Sequence, residues 1–330
     1  MSDAVRERAL AETRPEATPT SVEPLGRGNR KRTEAVRFDA ADPVVVQYSS
    51  TPEATRTEAA LLTAVGERTS VPVPRPLGGG VVDDTGWTVT PLAEGRDLHE
   101  AFVELGPGER REITRAFGRY LAEVHEAFQF SGCGRLAVAG RAKANTEAEA
   151  ARGRDSSLTI RDPADAAEWL RRFGERHAER LPAEFDDLRD ALGDVLREPT
   201  GTDAAPRLFP WDFRPGNALV ADGAVTAVLD WETPLSAPPG LSVAKAEHLL
   251  VDWYVPAAGT GPLRRAFRDG YESVARLPPV GRAYRAAAVV SAAVDGEGAV
   301  TNPRYPPVDR DAAVAFHRHA LRRALGETGG

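Results

Sequence analysis

The sequence is poor in sulfur and has no long apolar run. Its 330 residues include one cysteine, Cys133, and one methionine. A single cysteine excludes a disulfide within the chain and suits a reducing compartment. No apolar run approaches the roughly 20 residues that a membrane-spanning helix needs. The first residues are charged and lack the apolar stretch of a signal peptide, so we expect a soluble, cytoplasmic protein without a membrane partner.

Lysine is also scarce. Only Lys31, Lys143 and Lys245 are lysines among 42 basic residues, and the others are arginines. The net charge of −7 argues weakly against nucleic acid as a partner. Hydrophobic residues make up 42% of the chain, which allows a sizeable core, and the length suits two domains of about 150 residues each. We find no internal repeat, and the oligomeric state is unknown from the sequence.

The first 95 residues have the pattern of a small antiparallel sheet with one helix. Residues 1–20 are expected to be a tail or a short helix. Extended segments are predicted at Ser21–Leu25, Thr33–Phe38, Pro43–Tyr48, Leu77–Val82 and Trp87–Pro91. Thr51–Val65 is predicted to be a helix that begins at Pro52 and is stopped by Gly66. We assign residues 21–95 to an N-terminal lobe.

The remaining residues, 96–330, have mainly helical patterns and are assigned to a second lobe. Glu109–Phe128 is the clearest helix, because its apolar residues recur at helical spacing, and its His125 is expected to be a core histidine. Further helices are predicted at Pro163–Arg180, Pro182–Leu196, Val243–Tyr254, Pro262–Ala275, Arg282–Val294 and Asp309–Leu325. Ser131–Ser157 is poor in large apolar residues and is expected to be a surface excursion.

Two short segments, Leu208–Asn217 and Val225–Glu232, carry most of the chemical information. The first has the spacing D-x-x-x-x-N from Asp212 to Asn217, and the second is an apolar strand that runs into Asp230. Phosphoryl transfer needs such groups, since one carboxylate accepts the proton of an attacking hydroxyl while an amide oxygen and a second carboxylate hold Mg²⁺. The alternative is a turn rich in Asp, Pro and Gly that only joins two strands.

These segments resemble those of the aminoglycoside phosphotransferase-like family of small-molecule kinases, where H-G-D-x-x-x-x-N is followed by I-D-W/F-E. The resemblance implies an α+β, bilobal, protein-kinase-like fold with a small antiparallel sheet and one helix in the N-terminal lobe and a mainly helical C-terminal lobe. It also implies that Asp212 is the catalytic base and that Asn217 and Asp230 hold Mg²⁺. The phosphate donor would be ATP, with GTP not excluded, and the acceptor a hydroxyl of a small molecule.

The same resemblance places the nucleotide in the N-terminal lobe. Gly26 and Gly28 would lay backbone N–H groups over the phosphates, although an ordinary hairpin turn gives the same G-x-G pattern. Leu92 belongs to the hinge that would meet the adenine ring. The family's strand lysine is replaced by Gln47, which can donate hydrogen bonds but has no charge, and the glutamate that pairs with that lysine corresponds to Glu58.

Lys31, on the glycine-rich turn, is a candidate to supply the missing charge. The with-no-lysine protein kinases show that such a relocation can occur in related folds. The alternative is that Lys31 belongs to a solvated basic hairpin with its arginine neighbours. Glu58 would then be an unpaired, solvent-facing residue of its helix.

The catalytic loop departs from the family pattern as well. Pro210 stands where the family has a histidine that braces the loop, and Trp211 replaces a glycine. Arg214, two residues after the base, is expected either to contact the transferring phosphate or to form a structural salt bridge. The family aspartate that braces the loop from the following helix has its nearest match in Glu247 and a poorer one in Asp252.

Three functions are compatible with these residues. The first is an active small-molecule kinase. The second is a catalytically silent nucleotide-binding or scaffolding relative, which Gln47 and Pro210 favour, and the third is hydrolysis with Asp212 aiming a water molecule. The acceptor stays open, because the acidic pocket that a cationic acceptor would need has candidates by position alone: Glu247, Asp252, Asp295 and Glu297.

Overall fold

The computed structural model of the protein describes residues 2–25, 31–138, 158–198 and 204–326. Its first part is a five-stranded antiparallel sheet with the strand order β1-β2-β3-β5-β4. The strands are β1 (Pro19–Pro24), β2 (Arg32–Phe38), β3 (Val44–Ser49), β4 (Gly78–Val82) and β5 (Thr85–Pro91). Helix α2 (Pro52–Arg68) follows β3. The sheet with its helix agrees with the architecture predicted from the sequence.

Helix α1 (Ser2–Thr13) covers one face of this sheet. Its Val5, Ala9 and Leu10 form a cluster with buried residues of the sheet, namely Val36, Val44, Val46, Tyr48, Trp87 and Val89. Side chains alternate across a strand, so the intervening residues of β3 and β5 lie on the opposite face. Gly86 is on that face and meets Thr55 of α2. The two helices therefore lie on opposite sides of the sheet.

The rest of the chain is mainly helical. The helices are α3 (Leu98–Glu104), α4 (Pro107–Ala127), α5 (Ala166–Ala178), α6 (Arg189–Leu196), α7 (Pro239–Glu247), α8 (Ala257–Glu272), α9 (Arg282–Ala293) and α10 (Arg310–Leu325). A 3-10 helix, Ala183–Leu188, precedes α6, and a π-helical turn, His248–Asp252, extends α7. The central pair, α4 and α8, touch through Gly118 and Gly270, where a Cβ would overlap the backbone of the facing helix.

Two smaller antiparallel sheets hold the loops of this second part. β9 (Arg207–Phe209) is the edge strand of a four-stranded sheet that also contains β7 (Cys133–Val138), β8 (Leu158–Ala164) and β12 (Leu235–Ala237). β10 (Ala218–Ala221) and β11 (Ala224–Val228) form a hairpin that β6 (Arg96–Asp97) extends. At the hairpin tip Asp222 and Gly223 have positive φ, as a two-residue type I′ turn requires.

Three boundaries differ from the sequence-based prediction. Gly66 does not stop α2; it is buried within the helix, because the side chain of Arg75 packs against it. Helix α5 begins only after Asp165, whose carboxylate caps it, since the preceding residues continue β8. Helix α8 starts at Ala257, five residues earlier than predicted, so that Pro262 lies inside the helix rather than at its first position.

The predicted surface excursion at Ser131–Ser157 is wrong in its first part. Cys133–Val138 is strand β7, and Cys133 and Leu136 are buried. The small residues of this segment hide a strand because pairing with β8 and β12, rather than large side chains, stabilises it. Residues 139–157 lie outside the described part of the chain.

Candidate active site

The β10–β11 hairpin brings the backbones of the two predicted metal ligands close together. Asn217 directly precedes β10, and Leu229 directly follows β11. The N–H of Leu229 donates to the carbonyl oxygen of Asn217 at 2.7 Å, which extends the hairpin ladder by one pair. Asp230 is the next residue, so its backbone lies one position beyond this pair.

Asn217 also fixes the loop that carries Asp212. Its side-chain Nδ2 donates to the backbone carbonyl of Asp212 at 3.0 Å. Its own N–H donates to the carbonyl of Arg214 at 3.0 Å within the 3-10 turn Pro215–Asn217. Because the amide nitrogen is used in this way, Oδ1 is left as the acceptor, which is the atom that a cation would bind. The side chain of Asp212 keeps 30% of its surface exposed.

Asp230 lies among other acidic groups. Its backbone is left-handed, with φ of 60°, and the residue is exposed to solvent. Protein atoms close to the carboxylate nevertheless remove part of its hydration, and this desolvation is the largest of the causes that raise the pKa of Asp230 to about 6. The charge of Glu232 adds to the rise, those of Glu58 and Asp212 add less, and Lys31 opposes it. The site therefore has an excess of negative charge that a bound cation would compensate.

The donor atoms suit a magnesium ion that arrives with a nucleotide. Mg²⁺ prefers oxygen ligands and is usually held by one or two protein groups together with phosphate oxygens and water. Within residues 2–25, 31–138, 158–198 and 204–326, no three His, Cys, Asp or Glu side chains are grouped to hold a metal. Asn217 and Asp230 offer one amide oxygen and one carboxylate, a number of protein ligands that such a shared site uses.

Lys31 reaches the same cluster from the N-terminal sheet. Its Nζ lies 2.5 Å from Oε2 of Glu58 and 3.4 Å from Oε2 of Glu232. Burial by itself lowers the pKa of Lys31, but the surrounding carboxylates, with Glu58 first, outweigh it and raise the pKa. Glu58 projects from the buried side of α2 and is paired, so the alternative of a solvent-facing Glu58 is wrong.

Gln47 occupies the centre of the sheet without carrying charge. It pairs with Thr33 of β2 on one side and with Thr88 of β5 on the other. It is half-buried and lies on the face that α2 covers. This is the place expected for the strand lysine of the family, and the cation comes instead from the residue that precedes β2.

The other predicted nucleotide contacts are only partly described. The N–H of Leu92 donates to the carbonyl of Pro43 at 3.0 Å, so this amide is engaged within the protein. An adenine ring would therefore have to use the Leu92 carbonyl or a neighbouring backbone group. Gly26 and Gly28 lie outside the described residues.

Arg214 stands at the start of the 3-10 turn and contacts an aromatic ring. Its guanidinium carbon lies 5.3 Å from the centroid of Trp253, a cation–π distance. In the part of the chain that the structure describes, Arg214 forms no salt bridge, and its buried Nε has no hydrogen-bond partner. The geometry therefore does not show the structural salt bridge that was one of the two expectations for this residue.

Comparison with known proteins agrees with this geometry. A model of the phosphotransferase enzyme family known as APH matches residues 21–286. The chain belongs to this phosphotransferase family. No curated protein sequence matches it.

Several solved structures share the fold of this phosphotransferase. A putative aminoglycoside phosphotransferase from Ralstonia eutropha JMP134 has a TM-score of 0.66 at 17% identity, and the match covers 99% of this chain and 98% of that one. Aminoglycoside phosphotransferase APH(4)-Ia, in a ternary complex with AMP-PNP and hygromycin B, has a TM-score of 0.62 at 16% identity, with 98% and 99% covered. A putative fructosamine-3-kinase from Thermobifida fusca has a TM-score of 0.56 at 20% identity, with 97% and 99% covered.

Family and fold together identify a kinase-type enzyme with the bilobal, protein-kinase-like architecture expected from the sequence. The family is one of small-molecule phosphotransferases, as the catalytic-loop pattern predicted. None of the helices in the described parts of the chain is long and apolar enough to cross a membrane.

The phosphotransferase loop is not braced by the carboxylates expected from the sequence. Glu247 is buried and accepts hydrogen bonds from Arg264 at 2.8 Å and from Arg268 at 2.7 Å. Asp252 accepts one from Arg264 at 2.6 Å. Both carboxylates are thus paired with arginines, because Arg264 and Arg268 lie on the side of α8 that faces them.

The following helix offers the loop a cation instead. Nζ of Lys245, on α7, lies 3.8 Å from Oδ1 of Asp212 and 3.5 Å from the ring centroid of Trp211. Sequence reasoning missed Lys245. The scarcity of lysine in the chain was the one feature that drew attention to it.

Proposed function

We propose that this phosphotransferase moves the γ-phosphate of ATP to a hydroxyl of a small molecule, with Asp212 as the base and Mg²⁺ on Asn217 and Asp230. GTP is a second possible donor. The observation that supports the proposal is the hydrogen-bonded unit of Asp212, Asn217 and Leu229, in which Asn217 bonds to the backbone of Asp212 and pairs with the residue before Asp230.

In this mechanism Asp212 orients the acceptor hydroxyl for in-line attack on the γ-phosphorus. The oxygen–phosphorus bond forms, the bond to the β,γ-bridging oxygen breaks, ADP leaves and the hydroxyl proton passes to Asp212. A bound Mg²⁺ would neutralise charge on the β- and γ-phosphates. Burial is the first cause of the raised pKa of Asp230 and the charge of Glu232 the second, and a cation bound here would offset both by favouring the charged carboxylate.

Lys31 is proposed to bind the phosphates of the nucleotide in place of the strand lysine. Its ion pair with Glu58 holds Nζ between the N-terminal sheet and the metal-binding hairpin, where Glu232 also contacts it. Gln47, on the same side of the sheet, is proposed to donate a hydrogen bond without charge. This pair of roles favours the active enzyme over a silent relative, because the charge that Gln47 lacks is present nearby.

Arg214 is proposed to contact the transferring phosphate. A planar guanidinium can bind phosphate oxygens through two parallel hydrogen bonds. Its Nε has no partner among the described residues, and its stacking on Trp253 fixes the group without using its N–H donors.

The candidates for an acidic acceptor pocket do not favour a cationic acceptor. Glu247 and Asp252 are engaged by arginines, and the carboxylate of Asp295 accepts hydrogen bonds from the backbone N–H groups of Glu297 and Ala299. The acceptor is therefore proposed only as a hydroxyl compound of low mass. Cytoplasmic location and the lack of a nucleic-acid partner stay predictions.

The nucleotide site is tested by thermal unfolding with ATP or GTP, with and without Mg²⁺. A ligand that binds only the folded state, and whose free concentration is 100 times its Kd, adds about 2.7 kcal/mol to the free energy of unfolding. We expect a Mg²⁺-dependent rise of the melting temperature in the wild type and its loss in Asp230→Asn. Asp212→Asn should keep the rise and lose phosphoryl transfer to water or to a screened acceptor.

Asp222→Asn is the matched control, because it makes the same chemical change at the exposed tip of the same hairpin. Asn tolerates the left-handed conformation found there, so fold and nucleotide binding should be unchanged. A wild type that neither ATP nor GTP stabilises would leave the fold without this chemistry and would make the silent relative the better account.

A further inference from the structure

Lys245 is buried beside the catalytic loop without a hydrogen-bond partner. Only 1% of the residue is exposed, and within the described residues its Nζ makes no hydrogen bond of normal geometry. The nearest charge is Oδ1 of Asp212 at 3.8 Å. The ammonium group also lies 3.5 Å from the ring centroid of Trp211 and 5.8 Å from that of Phe209.

This placement is unfavourable for the stability of the fold. A buried ammonium group loses its favourable free energy of hydration. An aromatic ring and one ion pair at 3.8 Å compensate for only part of that loss. The nearby guanidinium of Arg214 adds to the cost, because its charge opposes that of Lys245. An apolar side chain of similar length would fit this position at lower cost. The lysine is thus not explained by packing.

The one opposite charge within reach of Nζ points to its task. Asp212 is held through its backbone by the amide of Asn217, but this bond leaves the carboxylate free to rotate about its side-chain bonds. The preceding Pro210 has no side-chain donor that could restrain it. In the described part of the chain Lys245 is the cation that forms an ion pair with this carboxylate.

We propose that Lys245 is a positioning residue for the catalytic loop. Its buried ammonium group, held over the ring of Trp211, fixes the orientation of the Asp212 carboxylate so that the free oxygen faces the acceptor hydroxyl. The inference rests on the proposed function of Asp212. It adds that the loop is held by an electrostatic contact from α7 and by a tryptophan at the place of a glycine.

The test compares Lys245→Met with the wild type in three measurements: the melting temperature, the stabilisation by MgATP, and the single-turnover hydrolysis of MgATP with water as the acceptor. Methionine keeps the length of the side chain and removes the charge. We expect a higher melting temperature, an unchanged response to MgATP, and hydrolysis slower by roughly 10²-fold, the effect of a misplacement of about 1 Å. Asp212→Asn should lose hydrolysis. Adding Lys245→Met to Asp212→Asn should then cause no further fall in the rate of hydrolysis.

Leu241→Ala is the matched control on the same helix. Leu241 is fully buried and has no part in the loop, so its truncation should lower the melting temperature and leave the rate of hydrolysis unchanged at a temperature where the variant is folded. The expected pattern for Lys245→Met is the reverse, with greater stability and lower activity.

Three results would overturn the proposal. The first is a lower melting temperature or loss of folding in Lys245→Met, which would make the lysine structural. The second is an equal rate of hydrolysis in Lys245→Met and the wild type. The third is a fall in the rate of hydrolysis on Lys245→Met that is as large in the Asp212→Asn variant as in the wild type. A wild type that MgATP does not stabilise would instead refute the proposed function itself, because Lys245 takes no part in binding the nucleotide.

Discussion

The cation opposite Glu58 comes from Lys31, one position before β2, and not from the central strand. Lys31 was predictable because the sequence offers few lysines and one of them follows the glycine-rich turn. That Asp212, Asn217 and Asp230 lie close along the backbone was predictable, because a short loop and a tight hairpin leave little freedom in their relative positions; their roles stay predictions. Lys245 was not, since its place beside Asp212 depends on how α7 packs against the loop, and spacing along the chain does not contain that information.

Replacement of Lys31 by methionine is expected to weaken the binding of MgATP. The loss of one hydrogen bond from a charged donor is worth about 1.5–3 kcal/mol, which corresponds to roughly 10- to 100-fold in Kd. Gln47→Ala should have a smaller effect because its amide is neutral. Isothermal titration with both variants measures the difference.

Arg37→Met is the control for this measurement, because it removes an exposed cation from β2, the strand that follows Lys31, and leaves the ion pair with Glu58 in place. Its affinity for MgATP should equal that of the wild type. Unchanged affinity in both Lys31→Met and Gln47→Ala would contradict the relocated phosphate contact.

Among the secondary-structure elements, α4 and α8 make the closest contact, and two glycines allow it. A methyl group at Gly118 would overlap the carbonyl of Phe267, and one at Gly270 would overlap the carbonyl of Arg115. The amphipathic pattern of α4 was enough to predict the helix from the sequence. It was not enough to predict that glycines, rather than apolar side chains, set the distance to its neighbour.

Gly118→Ala is expected to lower the free energy of unfolding by about 1–3 kcal/mol, the usual cost of overpacking a core. Backbone atoms are the obstacle, so the two helices have to move apart as a whole. Gly108→Ala on the same helix is the matched control. No atom lies within 4 Å of the place of its Cβ, and the change should be neutral or slightly stabilising. Denaturant unfolding of both variants checks this, and equal stabilities would contradict the close contact.

At the scale of the whole molecule, the buried histidines His125, His177 and His317 are uncharged. Burial lowers the pKa of His177 and His317 to about 4 and that of His125 to about 3. Each donates or accepts one hydrogen bond inside the protein, as His317 does at 2.8 Å with the carbonyl of Thr301. Unfolded chains bind protons at these groups near pH 6.5, whereas the folded chain does not. Stability is therefore lost as the pH falls from about 6.5 toward 4.

His317→Gln is expected to reduce this loss. Glutamine keeps an N–H donor for Thr301 but does not titrate, so between pH 6.5 and 4.5 the variant should lose about 2 kcal/mol less than the wild type. Urea unfolding at several pH values measures the slope. His319→Gln, at an exposed position two residues further on, is the control. Parallel slopes for the wild type and His317→Gln would contradict the prediction.

The bilobal plan could be predicted because the change from alternating to helical periodicity falls near residue 96. The boundary of the lobes at 95 and 96 stays a proposal; β6, at Arg96–Asp97, pairs with β10 and so fits the second lobe. The ends of the elements were harder to predict. Gly66 lies inside a helix and Cys133–Val138 is a strand because contacts with distant residues, Arg75 in one case and β8 in the other, decide the local conformation.

Trp211 is an intrinsic fluorescent probe of the candidate active site. The other four tryptophans are buried, whereas Trp211 is half-buried, with the ammonium group of Lys245 on its ring and His177 beside it. Excitation moves electron density across an indole, so a charge held close to the ring shifts the wavelength of its emission. Any event that moves Lys245 or the neighbouring carboxylate changes that charge. The intrinsic fluorescence of the unlabelled protein thus reports on the geometry of the catalytic loop in real time.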